Sequence, residues 1–545
     1  MRASTFPSFA RYFAMAFLLA VSGCCAAAST PNLVVLMTDD LDETTFNKAL
    51  ELGLLPTIQN ELVAGGLRMQ NSYTSNSLCC PSRATFLTGQ YTHNHGVHNI
   101  TQGGSFQAFD DRETLAVWLQ RAGYHTGIIG KYLNGYGNDQ PLNDPGGNKR
   151  TYISPGWNDW QVMHDTGELS ASAQIGYSYA GAYCMYHYTI NHNGALENYG
   201  VGVDPVPSEY QVDVIAKRAA SFIDSAALQP NPLFLYLSPA SPHYEICLPG
   251  ADPGFNGDVR PPDRYVDSLP PSVMLDVYKP SFDEADISDK PAWFGTEYPS
   301  MTTAEVEAVQ RQFRHRLEAL RAIDDLMATI KQHLIAAGRW QDTVFVFTSD
   351  NGWLYGDHRT WGKVLAYEES IRVPLLLRGP GIPAQQQRQA LALNNDLAPT
   401  LSQLGGATPE LNIDGRSLVP LFTADTPPNW RRRMLVEHFR DLPGFPGSFS
   451  DYFAVRTGAN EISGGANNKL VAWSIDAVPN GVEHYGLDAD PLELDSLHAA
   501  GGQLAAERAA MRASLAVLRR CGMPGQASCA SAETVVEELF YGGFD

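Results

Sequence analysis

Two short clusters, Asp39-Asp40 and Asp350-Asn351, offer oxygen donors and nothing softer. Each follows an apolar run: Leu33-Val34-Val35-Leu36-Met37 before the first, Val344-Phe345-Val346-Phe347 before the second. A third run, Leu233-Phe234-Leu235-Tyr236-Leu237, leads through Ser238 and Pro239 to His243. Continuous apolar runs of this kind read as strands buried on both faces. In open α/β sheets, sites form at the carboxyl ends of such strands. Three carboxylates and an amide carbonyl meeting there would make an all-oxygen nest for a hard divalent cation, Ca2+ or Mg2+. Taken singly, Asp-Asp and Asp-Asn also open turns and cap helices. The recurrence after two similar strands brings the metal reading level with the turn-and-cap reading.

The segment from Leu78 to Gly89 holds a thiol and a cation in register. Pro81 and Ser82 suit a first helical turn, which puts Cys79 just before the helix. Arg83 lies one turn on, so both side chains face the positive helix end. A lone Cys at a helix start would more simply be a buried small hydrophobe.

These residues need elements to carry them. Strands alternating with helical stretches predict an α/β fold with a large, mostly parallel central sheet flanked by helices. The clearest helix runs from about Thr302 to Ala337, opened by a Thr302/Glu305 capping box and stopped at Gly338. Pro249 to Pro299, rich in Pro, Asp and Gly, reads as a long surface excursion of a kind that is often functional. Beyond Phe422 the pattern shortens. Met434–Val436, Tyr452–Val455 and Lys469–Trp473 predict a small antiparallel sheet, followed by a helix from about Gln503 to Arg519. A boundary near residue 425 separates a catalytic domain, 29–425, from a small α+β subdomain, 426–545.

Composition is that of an ordinary globular protein: 545 residues, 44% hydrophobic and 18% charged. With 38 basic and 59 acidic residues the net charge is −21, which argues against a nucleic-acid partner. It leaves room for an anionic small molecule held by a few local cations. Arg2 and Arg11, then an apolar stretch from Tyr12 to Val21, then small residues, read as a secretory signal over 1–28. Its removal takes away two Arg and no acid, leaving about −23. Ala26-Ala27-Ala28 resembles a signal-peptidase site, and Val21-Ser22-Gly23-Cys24 a lipobox that would acylate Cys24. The expectation is export to a periplasmic, secreted or lipid-anchored form, with the Cys24 anchor as the one membrane attachment. Export permits disulfides among the eight Cys. Cys521 with Cys529 is the favoured pair, and Cys184 can pair with Cys247.

Cys79-Cys80-Pro81-Ser82-Arg83, followed by Leu87-Thr88-Gly89, resembles the sulfatase signature C-x-P-S-R…L-T-G. The resemblance runs from about Asn32 to Cys529. Asn32 to Asp40 is similar to the family's first metal strand, Gly130-Lys131-Tyr132-Leu133-Asn134 to its G-K motif, and Ser349-Asp350-Asn351-Gly352 to its second metal motif. Gly362-Lys363, with Tyr367 to Pro374, resembles the segment that supplies a catalytic Lys. Tyr91-Thr92-His93-Asn94-His95, Gly130 to Gly137, Arg378-Gly379-Pro380-Gly381 and the Cys521/Cys529 ending resemble the N-acetylglucosamine-6-sulfatase and arylsulfatase branch.

The resemblance implies an alkaline-phosphatase-like fold and hydrolysis of sulfate monoesters, aryl or carbohydrate. It implies that Cys79 is oxidised to formylglycine by a formylglycine-generating enzyme, since only Cys79 has the required spacing to Pro81 and Arg83. Asp39, Asp40, Asp350, Asn351 and residue 79 would hold one cation, Ca2+ before Mg2+. Arg83 would hold the hydrated aldehyde, Lys131 and Lys363 the sulfate oxygens, and His243 would be an acid for the leaving oxygen. Only nine Lys occur, so two at these positions carry weight. One departure stands out: many members have His two residues after the first Lys, where this chain has Leu133. His358, in Gly356-Asp357-His358-Arg359, would lie near the pocket or serve as a cap. The rival readings are a phosphomonoesterase or phosphonate hydrolase of the same superfamily, and a non-catalytic surface protein that binds sulfated glycans.

Overall fold

The computed structural model describes Met1 and residues 30–166, 181–200, 206–247, 258–440, 450–458, 467–475 and 478–534. The expected signal segment, with Cys24, lies outside them, as does part of the Pro249–Pro299 excursion. The strands in chain order are β1 (Asn32–Thr38), β2 (Leu67–Tyr73), β3 (His125–Gly130), β4 (Asp159–Met163), β5 (Thr189–His192), β6 (Ala195–Asn198), β7 (Leu233–Ser238) and β8 (Thr343–Ser349). Then come a two-stranded ribbon, β9 (Leu354–Tyr355) with β10 (Trp361–Gly362), and strands β11 (Leu375–Arg378) and β12 (Gln386–Leu393). Ten of them form one sheet in the order β12-β2-β11-β8-β1-β7-β3-β4-β5-β6.

The three apolar runs are the adjacent strands β8, β1 and β7, with Val34 opposite Phe345 on one side and Leu235 on the other. Side chains alternate across the sheet, so Val34, Leu36, Leu235, Phe345 and Phe347 join one core. Leu33, Val35, Phe234, Val344 and Val346 join the other. Both faces are covered, which is why the runs carry no polar alternation. The first core packs under the helices Gln211–Ala226 and Thr303–Ala336, the second under Cys79–Thr88, Leu115–Arg121 and Leu397–Gly405.

The five central strands, β8, β1, β7, β3 and β4, are parallel to one another. The flanks are mixed: β11 runs antiparallel to β8 and β2, and β4-β5-β6 is an antiparallel meander. The β5–β6 hairpin turns on Asn193-Gly194, both at positive φ, a two-residue turn that Asn-Gly is suited to make.

The long helix starts with the expected capping box: Thr302 Oγ1 accepts from Glu305 N–H, and Glu305 accepts from Thr302 N–H. Gly338, at φ +69, follows its end. A separate antiparallel sheet holds β13 (Arg433–His438), β14 (Asp451–Thr457), β15 (Asn468–Ile475) and β16 (Val478–Gly486), the last not anticipated from sequence. The helix Gln503–Leu518 packs Met511, Leu515 and Leu518 against it. Disulfides join Cys521 to Cys529 and Cys184 to Cys247. No helix of the described residues is long and apolar enough to cross a membrane.

Candidate active site

Four neighbouring parallel strands end at one place. β1 delivers Asp39 and Asp40, β8 delivers Asp350 and Asn351, β3 delivers Lys131, and β7 leads to His243. Gly130 is required where β3 ends: at φ +121, a Cβ there would sit 2.2 Å from the Ser238 carbonyl oxygen. Lys131 N–H then donates to that same carbonyl at 2.7 Å. The helix Cys79–Thr88 points its start into this cluster and closes at Gly89, φ +70. It begins one residue earlier than the sequence suggested, so Cys79 is its first helical residue and Pro81 its third. Cys80 faces away, into the apolar core, with its thiol 3.8 Å from Asn134 O.

The Cys79 thiol lies 3.4 Å from Asp39 Oδ1, and Lys363 Nζ lies 2.7 Å from Cys79 Sγ. Lys363 also pairs with the Asp40 carboxylate. Lys131 donates to Asp39 Oδ2 at 2.5 Å, and Arg83 Nε to Asp350 Oδ2 at 2.8 Å. His243 Nε2 is 3.5 Å from Asp40 Oδ2, while its Nδ1 is 2.6 Å from Tyr244 O. All nine residues predicted from sequence therefore meet in one pocket. His358 does not. Its Nδ1 bonds Glu284 at 2.6 Å and its ring stacks on Tyr367, in a buried polar cluster of its own.

Three buried carboxylates, Asp39, Asp40 and Asp350, face three cations, Arg83, Lys131 and Lys363. Burial alone would raise the pKa of Asp39, but Lys131 and then His243 pull it below the usual carboxylate range. Lys363 and then His243 do the same for Asp40. Burial, then the Asp39 carboxylate, pushes the Cys79 thiol up, so it stays protonated. Burial pulls His243 down to about 4. The neutral ring spends its one N–H on the Tyr244 carbonyl and turns a bare Nε2 toward Asp40.

Asp40 Oδ2 and Asn351 Oδ1 are buried with no hydrogen-bond partner. Unpaired buried acceptors are costly, and a hard divalent cation is what such an oxygen set takes. Asp39, Cys79 and Asp350 each bring a ligand atom within 4.8 Å of the others, as do Asp39, Asp40 and His243. The residues present therefore fit a cation.

Two further residues were not anticipated. Arg316, on the long helix, grips the Asp40 carbonyl and stacks over Trp353 at 4.6 Å. Asp40 sits at φ +65, and Arg316 and the Asp350 Oδ1 contact to its N–H hold that left-handed turn. The available signal was a charge on the apolar face marked by Phe313, Leu317 and Leu320. Tyr183, beside Cys184, reaches Lys131 and His243 and had no sequence signal.

A family model described as sulfatase matches residues 31–407. The chain belongs to the sulfatase family. A second model, N-sulphoglucosamine sulphohydrolase C-terminal, matches residues 356–520. This sulfatase is 30% identical to the N-acetylglucosamine-6-sulfatase of Homo sapiens, over 77% of this chain and 69% of that protein. It is 30% identical to the extracellular sulfatase SULF-1 homolog of Drosophila melanogaster, over 75% of this chain but only 33% of that protein. The fold is similar to a solved structure in complex with its substrate D-glucosamine-2-N,6-O-disulfate, with TM-score 0.62 and 21% identity over 90% of this chain and 97% of that one. It is equally similar to the phosphonate monoester hydrolase of Agrobacterium radiobacter, with TM-score 0.66 and 22% identity over 90% and 95%. The fold by itself does not separate sulfate from phosphonate chemistry. The named relatives are sulfatases, and the chain is a sulfuric ester hydrolase.

Proposed function

We propose that this sulfatase hydrolyses carbohydrate sulfate esters, a 6-sulfated amino sugar first among them, using residue 79 as formylglycine and one Ca2+ or Mg2+. The observation that carries the reading is the Cys79 side chain at a helix start, within reach of Asp39 and Lys363 and beside unpaired buried oxygens. The substrate class rests on the name of the human relative. Oxidised and hydrated, residue 79 would offer one hydroxyl to attack sulfur and a second to release sulfate, which a thiol cannot do. A cation held by Asp39, Asp40, Asp350 and Asn351 would polarise a sulfate oxygen.

The chain's own groups do the rest. The three cations and three carboxylates of the pocket cancel, so each further positive charge draws in an anion. Lys131 and Lys363 bind sulfate oxygens and offset charge as the ester bond breaks. Arg83 orients residue 79. With Nδ1 committed to Tyr244 O, His243 Nε2 is the atom that takes up a proton and returns it to the leaving oxygen. Export is part of the same proposal, supported by the signal-like residues 1–28 and by an extracellular relative.

The test is a panel on matured protein: glucosamine 6-sulfate, other sugar sulfates, an aryl sulfate, and a phosphonate monoester. Release of inorganic sulfate, fastest from the 6-sulfated amino sugar, is expected. Phosphonate turnover with no sulfate release would overturn the proposal.

A further inference from the structure

The loop between β4 and β5 brings an aromatic side chain against two charged or proton-handling groups of the pocket. Tyr183 is buried, and Lys131 Nζ lies over its ring, 4.5 Å from the centroid. The same ring packs on the His243 imidazole at 4.5 Å. Its hydroxyl accepts a hydrogen bond from Asn134 Nδ2 at 2.5 Å, while Leu133 turns into the apolar core. The loop is tied down on both sides. Cys184, the next residue, is bonded to Cys247, four residues past His243. Gln211 donates to Ala182 O at 2.8 Å and accepts from Ala240 N–H at 2.9 Å, so one side chain spans the Tyr183 and His243 loops.

Lys131 rides on a flexible stem and has Asp39 at 2.5 Å as a strong anionic partner. A second carboxylate would steady the ammonium but cancel its charge. An aromatic face attracts the ammonium and leaves its charge for an incoming anion. We infer that Tyr183 is a positioning residue: its ring holds the Lys131 ammonium toward the sulfate group and braces His243, so that Nε2 stays aimed at the reacting bond. This rests on the roles given above to Lys131 and His243. Burial pushes the Tyr183 phenol up, so the ring stays neutral.

A double-mutant cycle tests it. Matured wild type, Tyr183→Leu, Lys131→Ala and the double variant are compared for kcat and KM on a sulfate ester. Binding of inorganic sulfate is followed in parallel by calorimetry, and thermal midpoints are recorded. Tyr183→Leu is expected to lower kcat/KM and sulfate affinity by about tenfold. The double variant should fall well short of the product of the two single losses, because part of the ring's effect runs through the ammonium and only the rest through His243. Losses that multiply in the double variant, or a fully active Lys131→Ala, overturn the inference. If Tyr183→Leu does not fold, Tyr183→Phe takes its place. Keeping the ring should hold activity within about threefold, and a loss as deep as that of Lys131→Ala overturns the inference. A wild type that hydrolyses no sulfate ester would sink the proposed function, and the sulfate-binding cycle would still decide the part played by Tyr183.

Discussion

Lys363 Nζ lies 2.7 Å from Cys79 Sγ and also pairs with Asp40, although 284 residues separate Lys363 from Cys79. The cation comes from the turn after β10, the thiol from a helix start, and the carboxylate from the end of β1. Lys363→Ala should lower kcat/KM on the order of 100-fold, while Lys363→Arg keeps part of it. Steady-state kinetics with a thermal midpoint for each variant checks this. Unchanged kinetics in the alanine variant would remove Lys363 from the machinery.

The two adjacent cysteines face opposite ways, so they should separate cleanly. The peptide carrying residue 79 should be about 18 Da lighter after maturation, the difference between CH2SH and CHO. Cys79→Ala should abolish turnover. Cys80→Ala should keep most activity and cost some stability, since its side chain is core. Peptide mass spectrometry that places the change on Cys80 would break the mechanism.

Chelation with EDTA should remove activity and lower the thermal midpoint, and added Ca2+ or Mg2+ should restore both, because a ligand that binds only the folded state stabilises it. Asp350→Ala should lose the metal by elemental analysis. Asp350 also pairs with Arg83 and accepts from the Asp40 N–H, so some stability should go with it. Stoichiometric zinc, with activity following zinc content, would contradict the oxygen-donor assignment.

His93 ties the helix Thr92–His95 to the small sheet. Its Nδ1 lies 2.9 Å from Glu437 Oε2, and its Nε2 bonds Cys521 O at 3.0 Å. Burial would lower its pKa, but the Glu437 carboxylate outweighs this and lifts it to about 9. The folded value lies above the unfolded one of about 6.5, so the stabilisation is complete below about pH 6.5 and is lost as pH rises through 9. The full effect is at most about 3 kcal/mol. Thermal midpoints measured from pH 6 to 10 should fall across that window, and His93→Gln should flatten the fall. An equal slope in the variant would assign the pH dependence elsewhere.

Residue order alone picked out the side chains that the fold gathers at the ends of β1, β3, β7 and β8. Apolar runs followed by Asp-Asp and Asp-Asn marked the strands that deliver the clustered carboxylates, because a strand buried on both faces has no polar alternation and its end must meet solvent or ligand. The spacing of Cys79, Pro81 and Arg83 is local, within one helical turn, and so is the Thr302/Glu305 cap. Such features need only neighbouring residues to be read. The β5–β6 hairpin is equally local, set by the turn at Asn193-Gly194.

Tertiary structure decided what no local pattern encodes. The order of β8, β1, β7 and β3 brings together side chains hundreds of residues apart, and sheet order depends on packing across the whole chain. The antiparallel flanks were equally hidden, because apolar content does not record strand direction and only β5–β6 is joined by a short turn. Tyr183 reached the pocket because the Cys184–Cys247 bridge and Gln211 join two loops, and Arg316 because one helix face crosses the end of β1. Those contacts depend on long-range geometry, so each residue taken alone looked like an ordinary aromatic or an ordinary surface charge.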